Sequence, residues 1–125
     1  SNSCQTSAGC VGSAYIKILL GSADVIIAGG AEDAAHTYAY NWLHRLGPVF
    51  SNAPDPKKAC RPFDVNRGGY IATEGSSALI LEEYEHAKRR GANIYCEIVG
   101  FGNTSDGEEA FQRPRDDGRG LVRSA

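Results

Sequence analysis

The chain has 125 residues, of which 42% are hydrophobic and 22% are charged, and its formal net charge is −2. This length allows at most one domain, and the near balance of charge excludes a strongly basic surface for nucleic acid. No stretch approaches the ~18 consecutive apolar residues of a membrane span. We therefore expect a globular chain with neither a nucleic-acid partner nor a membrane span.

The two ends of the sequence favour a segment of a longer protein. Ser1 is not a start methionine, and the sequence contains no Met. Residues 120–125 are typical of the first turn of a helix that continues. A functional site is therefore expected to lie partly outside this sequence.

The first predicted element is a helix over residues 5–20. Its apolar residues recur at i, i+3, i+4 and i+7 and form one stripe: Ala8, Val11, Ala14, Tyr15, Ile18 and Leu19. Ile16 and Leu20 widen this stripe, so we expect the helix to be covered on most sides. Gly21 is the expected left-handed stop.

A short apolar run over residues 24–28 follows and predicts a strand that ends at Gly29 and Gly30. A continuous apolar run favours a strand buried on both faces, which is typical of a parallel sheet. The next segment, residues 32–46, is either a helix with one apolar face or a loosely helical lid. Residues 47–66 hold four prolines and predict an irregular loop of the kind that is usually functional or interface-forming.

The second half of the chain alternates between strand and helix signals. Residues 69–73 and 77–81 predict two strands joined by a hairpin turn. Residues 82–90 predict a short charged helix closed by a glycine, and residues 94–101 a further strand. The residues after Gly102 are mostly polar and predict a loop.

Cysteine is the residue type with the clearest chemical potential. Cys4, Cys10, Cys60 and Cys96 include no pair at the two-to-four-residue spacing of a zinc site. A disulfide framework is arithmetically possible, but we favour reduced thiols in an intracellular protein. Cys10 and Cys96 fall in apolar-periodic segments, which predicts small buried side chains.

Cys4 differs because it stands immediately before the predicted helix. The unpaired N–H groups of a first helical turn, at the positive end of the helix dipole, stabilise a thiolate. Small residues around Cys4 leave room for a thioester to approach. A nucleophile on a tight turn and a cysteine that only packs or caps the helix both fit this local pattern.

Three further motifs accompany Cys4 in a characteristic order. They are Ala-Asp-Val-Ile-Ile-Ala-Gly-Gly-Ala-Glu at 23–32, Cys-Arg-Pro-Phe-Asp at 60–64 with Arg-Gly-Gly-Tyr-Ile-Ala-Thr-Glu-Gly at 67–75, and Leu-Ile-Leu-Glu-Glu-Tyr-Glu-His-Ala-Lys-Arg-Arg-Gly at 79–91. Together they resemble the β-ketoacyl-acyl-carrier-protein synthases, and most closely the type II elongating members. The resemblance places Cys4 at the acyl-accepting cysteine of the family.

The resemblance implies an α/β chain that forms part of a thiolase-like αβαβα layered fold, with a mixed sheet and a buried helix after the nucleophile. Residues 1–102 would be the end of the N-terminal ketosynthase half, including the nucleophile turn. Residues 103–125 would be a loop and the start of the C-terminal half.

The resemblance also implies a reaction, which is decarboxylative Claisen condensation of an acyl thioester with malonyl-acyl-carrier protein. It belongs to fatty-acid or polyketide biosynthesis and proceeds through an acyl group on Cys4. No metal or organic cofactor is implied. The implied partners are an acyl carrier protein, acyl thioesters and a second copy in a homodimer. The implied location is cytoplasmic, or plastid or mitochondrial in a eukaryote.

The sequence departs from the family pattern at several positions. Gln5 stands where Ser or Thr usually follows the cysteine, Gly68 where Asp is common, and Thr73 where Gly is common. The two catalytic histidines of the family lie in motifs that this sequence does not contain. The histidines present match neither context: His36, His44 and His86.

Two alternatives remain open at this point. The first is a non-catalytic, thiolase-like partner subunit of the chain-length-factor type. The second is a different cysteine acyltransferase or hydrolase, which would need His36 or His44 as a base close to Cys4. Because the two histidine motifs of the β-ketoacyl synthase family would lie outside this sequence, the 125 residues alone are expected to be inactive.

Overall fold

Residues 3–38, 41, 45, 54–69, 71–105, 107 and 117–125 are described by the computed structural model. The regular elements among them are the helices α1 (Thr6–Leu19), α2 (Tyr84–Arg89) and α3 (Arg119–Ser124), and the strands β1 (Val25–Asp33) and β2 (Glu74–Glu82). Short 3₁₀ turns occupy Ser3–Gln5 and Pro56–Lys58. The chain divides into two compact units, Ser1–Gly30 with Ala78–Ala125, and Ala31–Ser77. The predicted division at residue 102 stays a prediction.

Helix α1 confirms the first predicted element, with residues 3–5 in a 3₁₀ turn ahead of it. It ends as predicted at Gly21, whose φ of +67° lies in the left-handed region that glycine adopts without strain. The Gly21 N–H donates to the carbonyl of Ile18, and the Ser22 N–H donates to the carbonyl of Lys17, at 2.9 Å each. These two bonds form a Schellman motif, which satisfies the last carbonyl groups of the helix.

Strand β1 pairs with β2 in a two-stranded sheet. The N–H of Glu83, just after β2, donates at 2.8 Å to the carbonyl of Asp24, just before β1. The end of one strand therefore lies beside the start of the other, so the pair is antiparallel, and the parallel neighbour predicted for β1 is wrong for this pair. The predicted hairpin is also wrong, because residues 74–76 belong to β2 and the described residues 69 and 71–73 are not in a strand.

Strand β1 buries one face, whereas the sequence predicted burial of both. Ala28 is buried and Ile26 half-buried, but Val25 and Ile27 on the opposite face are exposed, Ile27 by 72%. Successive side chains of a strand point to opposite faces. The described residues supply apolar cover on the side of α1, so only that face of β1 is buried.

The core lies between α1, β1 and the end of β2. Ala14, Ala28 and Leu81 are its buried members, and five half-buried residues pack against them: Val11, Tyr15, Ile18, Ile26 and Ile98. The predicted stripe of α1 is thus confirmed at four positions. The side that carries Ile16 and Leu19 is exposed, so α1 is not covered on most sides by the described residues.

Residues 94–101 are not a strand, contrary to the prediction, yet they pack on α1. The ring of Phe101 fills the space beside Gly12, where an added Cβ would lie 2.1 Å from Cε2 of that ring. Side-chain packing on a helix therefore replaces the strand pairing that the alternation suggested. The polar loop predicted after residue 102 is confirmed for residues 103–105 and 107, and α3 confirms the helix predicted at the end of the sequence.

Helix α2 is shorter than predicted, because Glu83 caps it. The Glu83 carboxylate accepts hydrogen bonds from the N–H groups of Glu85 and His86 at 3.0 and 2.6 Å. A second Schellman motif closes the helix at Gly91, as predicted, with a φ of +68°. Of the helix or lid predicted over residues 32–46, residues 32 and 33 instead belong to β1. Residues 39, 40, 42–44 and 46, and residues 47–53 of the predicted loop, lie outside the described residues. None of the described helices is long and apolar enough to cross a membrane.

Candidate functional site

Cys4 lies in the 3₁₀ turn Ser3–Gln5, directly before α1, and is exposed. Gln5 is the N-cap residue of α1, and its side chain makes no capping hydrogen bond to the first turn. The first turn also holds no acidic residue. The positive end of the helix dipole is therefore not neutralised by a carboxylate of its own first turn, which favours an anion such as a thiolate at this end.

Two contacts from distant parts of the sequence hold the nucleophile turn, by which we mean residues 3–7. Gln5 Nε2 donates a hydrogen bond to Oδ1 of Asn103 at 3.1 Å. On another side, Ser7 fills the space next to Gly30, where an added Cβ would lie 1.9 Å from Ser7 Oγ. Asn103 was not predicted from the sequence. The one related signal in the sequence was Gln5, which stands where the family usually has Ser or Thr.

The remaining cysteines are exposed, which corrects the burial predicted for Cys10 and Cys96. Cys10 lines an open groove of about 490 Å³ between α1 and β1, together with Lys17 and Ala28. All four thiols are unbridged. Exposure alone therefore does not distinguish Cys4 from the other three, whereas its position at the start of a helix does.

The two described histidines occupy separate surroundings. His86 Nδ1 lies 2.6 Å from Oε1 of Glu82, so His86 is engaged with a carboxylate and is not simply a solvated side chain. The His36 ring stacks on Tyr38, with ring centroids 6.2 Å apart. His36 belongs to the unit Ala31–Ser77, and Cys4 belongs to the other unit. His44 lies outside the described residues.

The charged group around Glu82 ties the end of β2 to α2. Arg90 Nε donates to Oε1 of Glu82 at 2.7 Å, and a guanidinium N–H of Arg90 donates to Oε2. These bonds, followed in importance by the contact with His86, lower the pKa of Glu82 from 4.5 to about 2. The two backbone N–H donors of α2 likewise lower the pKa of Glu83. The group thus uses charged residues of this motif to join two elements.

The Arg-Pro-Phe-Asp motif forms a tight turn in the other unit. The Asp64 N–H donates to the carbonyl of Arg61 at 3.2 Å, and Asp64 Oδ1 accepts from the N–H of Asn66 at 2.7 Å. Phe63 has a φ of +64° and is 98% exposed. A bulky residue in the left-handed region costs about 1–2 kcal/mol. The turn therefore stores strain while it presents an aromatic ring outward.

Within the part of the chain that the structure describes, no three or more His, Cys, Asp or Glu side chains are grouped so that they could hold a metal ion. An exposed thiol at a helix N-terminus is suited to nucleophilic attack on a carbonyl carbon.

Comparison with known proteins places this arrangement in a family. The family described as "Beta-ketoacyl synthase, N-terminal domain" matches residues 1–87. The mitochondrial 3-oxoacyl-[acyl-carrier-protein] synthase of Arabidopsis thaliana is 43% identical over 122 residues, which are 95% of this chain and 26% of the relative.

Two solved structures share the fold. A β-ketoacyl synthase from Burkholderia phymatum superimposes with a TM-score of 0.83 at 38% identity, over 97% of this chain and 30% of that one. A type II polyketide ketosynthase, solved with its acyl-carrier protein and a bound hexaketide, gives a TM-score of 0.82 at 30% identity over the same shares.

The chain thus spans about a quarter of the curated relative and 30% of each solved structure. Since the family match covers residues 1–87 and the solved neighbours are thiolase-like ketosynthases, the predicted α/β, thiolase-like fold class is confirmed. The chain belongs to the β-ketoacyl synthase family and contains part of its N-terminal domain.

Proposed function

We propose that the protein carrying this chain is a β-ketoacyl synthase in which Cys4 is the acyl-accepting nucleophile. The observation that supports Cys4 is its place in the 3₁₀ turn before α1, with an exposed residue and no acidic residue in the first helical turn. Membership of the family supports the reaction type. Cys10 lies on α1 itself and lacks this position.

In the first half-reaction, Cys4 Sγ attacks the carbonyl carbon of an acyl thioester. A new S–C bond forms to Cys4, and the bond between the acyl carbon and the carrier sulfur breaks. The proton of the Cys4 thiol ends on the carrier thiol that departs. The helix dipole of α1 favours the thiolate that attacks, which is how the local fold assists this step.

In the second half-reaction, a malonyl thioester loses CO₂, and the electron pair of the broken C–C bond forms a carbanion. This carbon attacks the acyl carbon on Cys4, a C–C bond forms, and the S–C bond to Cys4 breaks. The Cys4 thiolate takes a proton from water, and the product is a β-ketoacyl thioester two carbons longer. The groups that assist decarboxylation are assigned to residues outside this chain, because neither described histidine stands in the family's motif.

The partners follow from the same proposal. The solved polyketide ketosynthase neighbour was captured with its acyl-carrier protein, which supports an acyl carrier protein as the substrate carrier here. A homodimer is also proposed, since apolar residues such as Ile27 and Ile80 are exposed on β1 and β2. The mitochondrial Arabidopsis relative and the bacterial solved structure support either a mitochondrial or a bacterial cytoplasmic location.

The test is a condensation assay with an acyl-carrier substrate and malonyl-acyl-carrier protein, in which CO₂ release and product mass are both measured. Cys4→Ala should abolish the formation of the β-ketoacyl product. Cys10→Ala is the matched control, because it removes an exposed thiol from the same helix region, and it should keep at least about half of the activity. Normal product formation by Cys4→Ala, or loss of product in Cys10→Ala alone, would contradict the assignment.

A further inference from the structure

The residue that follows Cys4 makes a side-chain contact that crosses almost the whole sequence. Gln5 Nε2 donates to Oδ1 of Asn103 at 3.1 Å, and the two residues are 98 positions apart. Both residues are exposed. A hydrogen bond between exposed amides contributes little to folding. Because this one lies next to Cys4, it is better placed to orient the nucleophile turn than to stabilise the fold.

Asn103 belongs to a segment, residues 98–104, that contacts α1 at successive points. Ile98 packs against the core cluster of Ala14, Ala28 and Leu81, and the ring of Phe101 covers Gly12. Asn103 then reaches Gln5 at the N-terminal end of the helix. Between Phe101 and Asn103 the contacts thus move from Gly12 to Gln5, toward the nucleophile turn.

The same segment is anchored on its other side by α3. Thr104 Oγ1 donates to the carbonyl of Gly120 at 2.7 Å. Gly102 backs directly onto Ser124, where an added Cβ would lie 2.3 Å from the backbone oxygen. Asn103 stands between these two anchors, so its amide is offered to Gln5 from a constrained backbone.

We propose that Gln5 and Asn103 form a positioning pair that fixes the orientation of the nucleophile turn, and thereby of Cys4 Sγ, toward the acyl carbon. This inference rests on the proposed role of Cys4. Gln5 is not a catalytic residue here, since it acts through the turn that it holds. A misplacement of about 1 Å in a reacting group costs on the order of 10²-fold in rate, so loss of one restraint on the turn is expected to lower kcat about tenfold.

The experiment is a mutant cycle in the full-length protein, read by kcat and KM for acyl transfer and by the rate of Cys4 alkylation with iodoacetamide. Gln5→Met keeps the length of the side chain and removes the amide, and Asn103→Ala removes the acceptor. Each should lower kcat about tenfold, with KM and Tm little changed. The double variant should be no slower than either single variant, because both remove the same hydrogen bond.

A side-chain exchange provides the rescue. Gln5→Asn with Asn103→Gln keeps one amide on each side and the same total number of methylene groups, and it should recover most of kcat. Ser105→Ala is the control, since Ser105 Oγ accepts a local hydrogen bond from the Gly107 N–H at 3.3 Å, and it should leave kcat unchanged.

The outcomes separate the two proposals. If Cys4→Ala abolishes acyl transfer while Gln5→Met and Asn103→Ala keep wild-type kcat and alkylation rates, the positioning pair is wrong and the nucleophile stands. Multiplicative effects in the double variant, or equal losses in kcat and Tm without rescue by the exchange, also overturn the pair. If Cys4→Ala keeps acyl transfer, the proposed function itself is wrong.

Discussion

Substitution of Gly30 by Ala tests how closely β1 must approach the nucleophile turn. An added Cβ at Gly30 would lie 1.9 Å from Ser7 Oγ, 3.0 Å from Ser7 Cβ and 3.5 Å from Ser7 Cα. Favourable contacts between heavy atoms lie at about 3.5–4.0 Å. Rotation of Ser7 moves Oγ away, but the contact with Ser7 Cβ stays tight, so the first turn of α1 must also shift.

The magnitude follows from two opposing effects. Overpacking of a well-filled site costs about 1–3 kcal/mol, whereas replacement of Gly by Ala in a compatible conformation stabilises by about 0.4–1 kcal/mol through the unfolded chain. Gly30→Ala is therefore expected to lower the free energy of unfolding by about 1–2 kcal/mol. Because Ser7 lies three residues after Cys4, the shift should also slow the alkylation of Cys4, by several-fold.

The assay combines denaturant unfolding of the full-length protein with the rate of Cys4 alkylation. Ser7→Gly in the Gly30→Ala background removes the atoms that clash and should restore both quantities toward wild type. Gly75→Ala is the matched control, since Gly75 lies in β2 and an added Cβ there meets no atom within 4 Å. Equal stability and equal alkylation rates for Gly30→Ala and Gly75→Ala would refute the close-approach argument.

Three more predictions concern packing, pH and the segment alone. Gly12→Ala should destabilise the protein because the added Cβ would lie 2.1 Å from the Phe101 ring, although Ala normally stabilises a helix by about 1 kcal/mol relative to Gly. In a Phe101→Ala background, denaturant unfolding should show the same change to be neutral or stabilising. Arg90, and then His86, lower the pKa of Glu82 from 4.5 to about 2. As pH falls, the unfolded chain therefore binds this proton first, so the stabilisation is complete above about pH 4.5 and is lost as pH falls toward 2. Glu82→Gln should flatten the slope of unfolding free energy against pH in that window, and an unchanged slope would contradict the assignment. The 125 residues expressed alone should be inactive and should associate, since Ile27 and Ile80 are more than two-thirds exposed; a monodisperse, active monomer in sedimentation and condensation assays would contradict this.

Local signals predicted the helices well and the sheet poorly. Helix α1 follows from its apolar spacing and from Gly21, which both act within a few residues. Residues 74–76 carry Gly and Ser, which are common in turns, yet they extend β2. The backbone bond between Asp24 and Glu83 joins the start of β1 to the end of β2. These two residues are 59 positions apart, and no local pattern contains a pairing over that distance.

The candidate site shows the same division between local and long-range information. Cys4 was predicted from its position before a helix and from the order of motifs, both visible in the sequence. Asn103 could not be predicted, because it reaches Gln5 through the packing of a segment 98 positions away. Cys10 was predicted to be buried because its neighbours are apolar, but burial depends on what covers α1, and the described residues cover only one side of it.

Peptide mass spectrometry of the acylated enzyme tests whether Cys4 carries the acyl group. The full-length protein is incubated with an acyl-carrier substrate in the absence of malonyl thioester, digested and analysed for the mass of one acyl group on each cysteine peptide. The adduct is predicted on the peptide that contains Cys4 and should disappear when malonyl-acyl-carrier protein is added. An adduct on Cys10, Cys60 or Cys96 with Cys4 unmodified would contradict the claim.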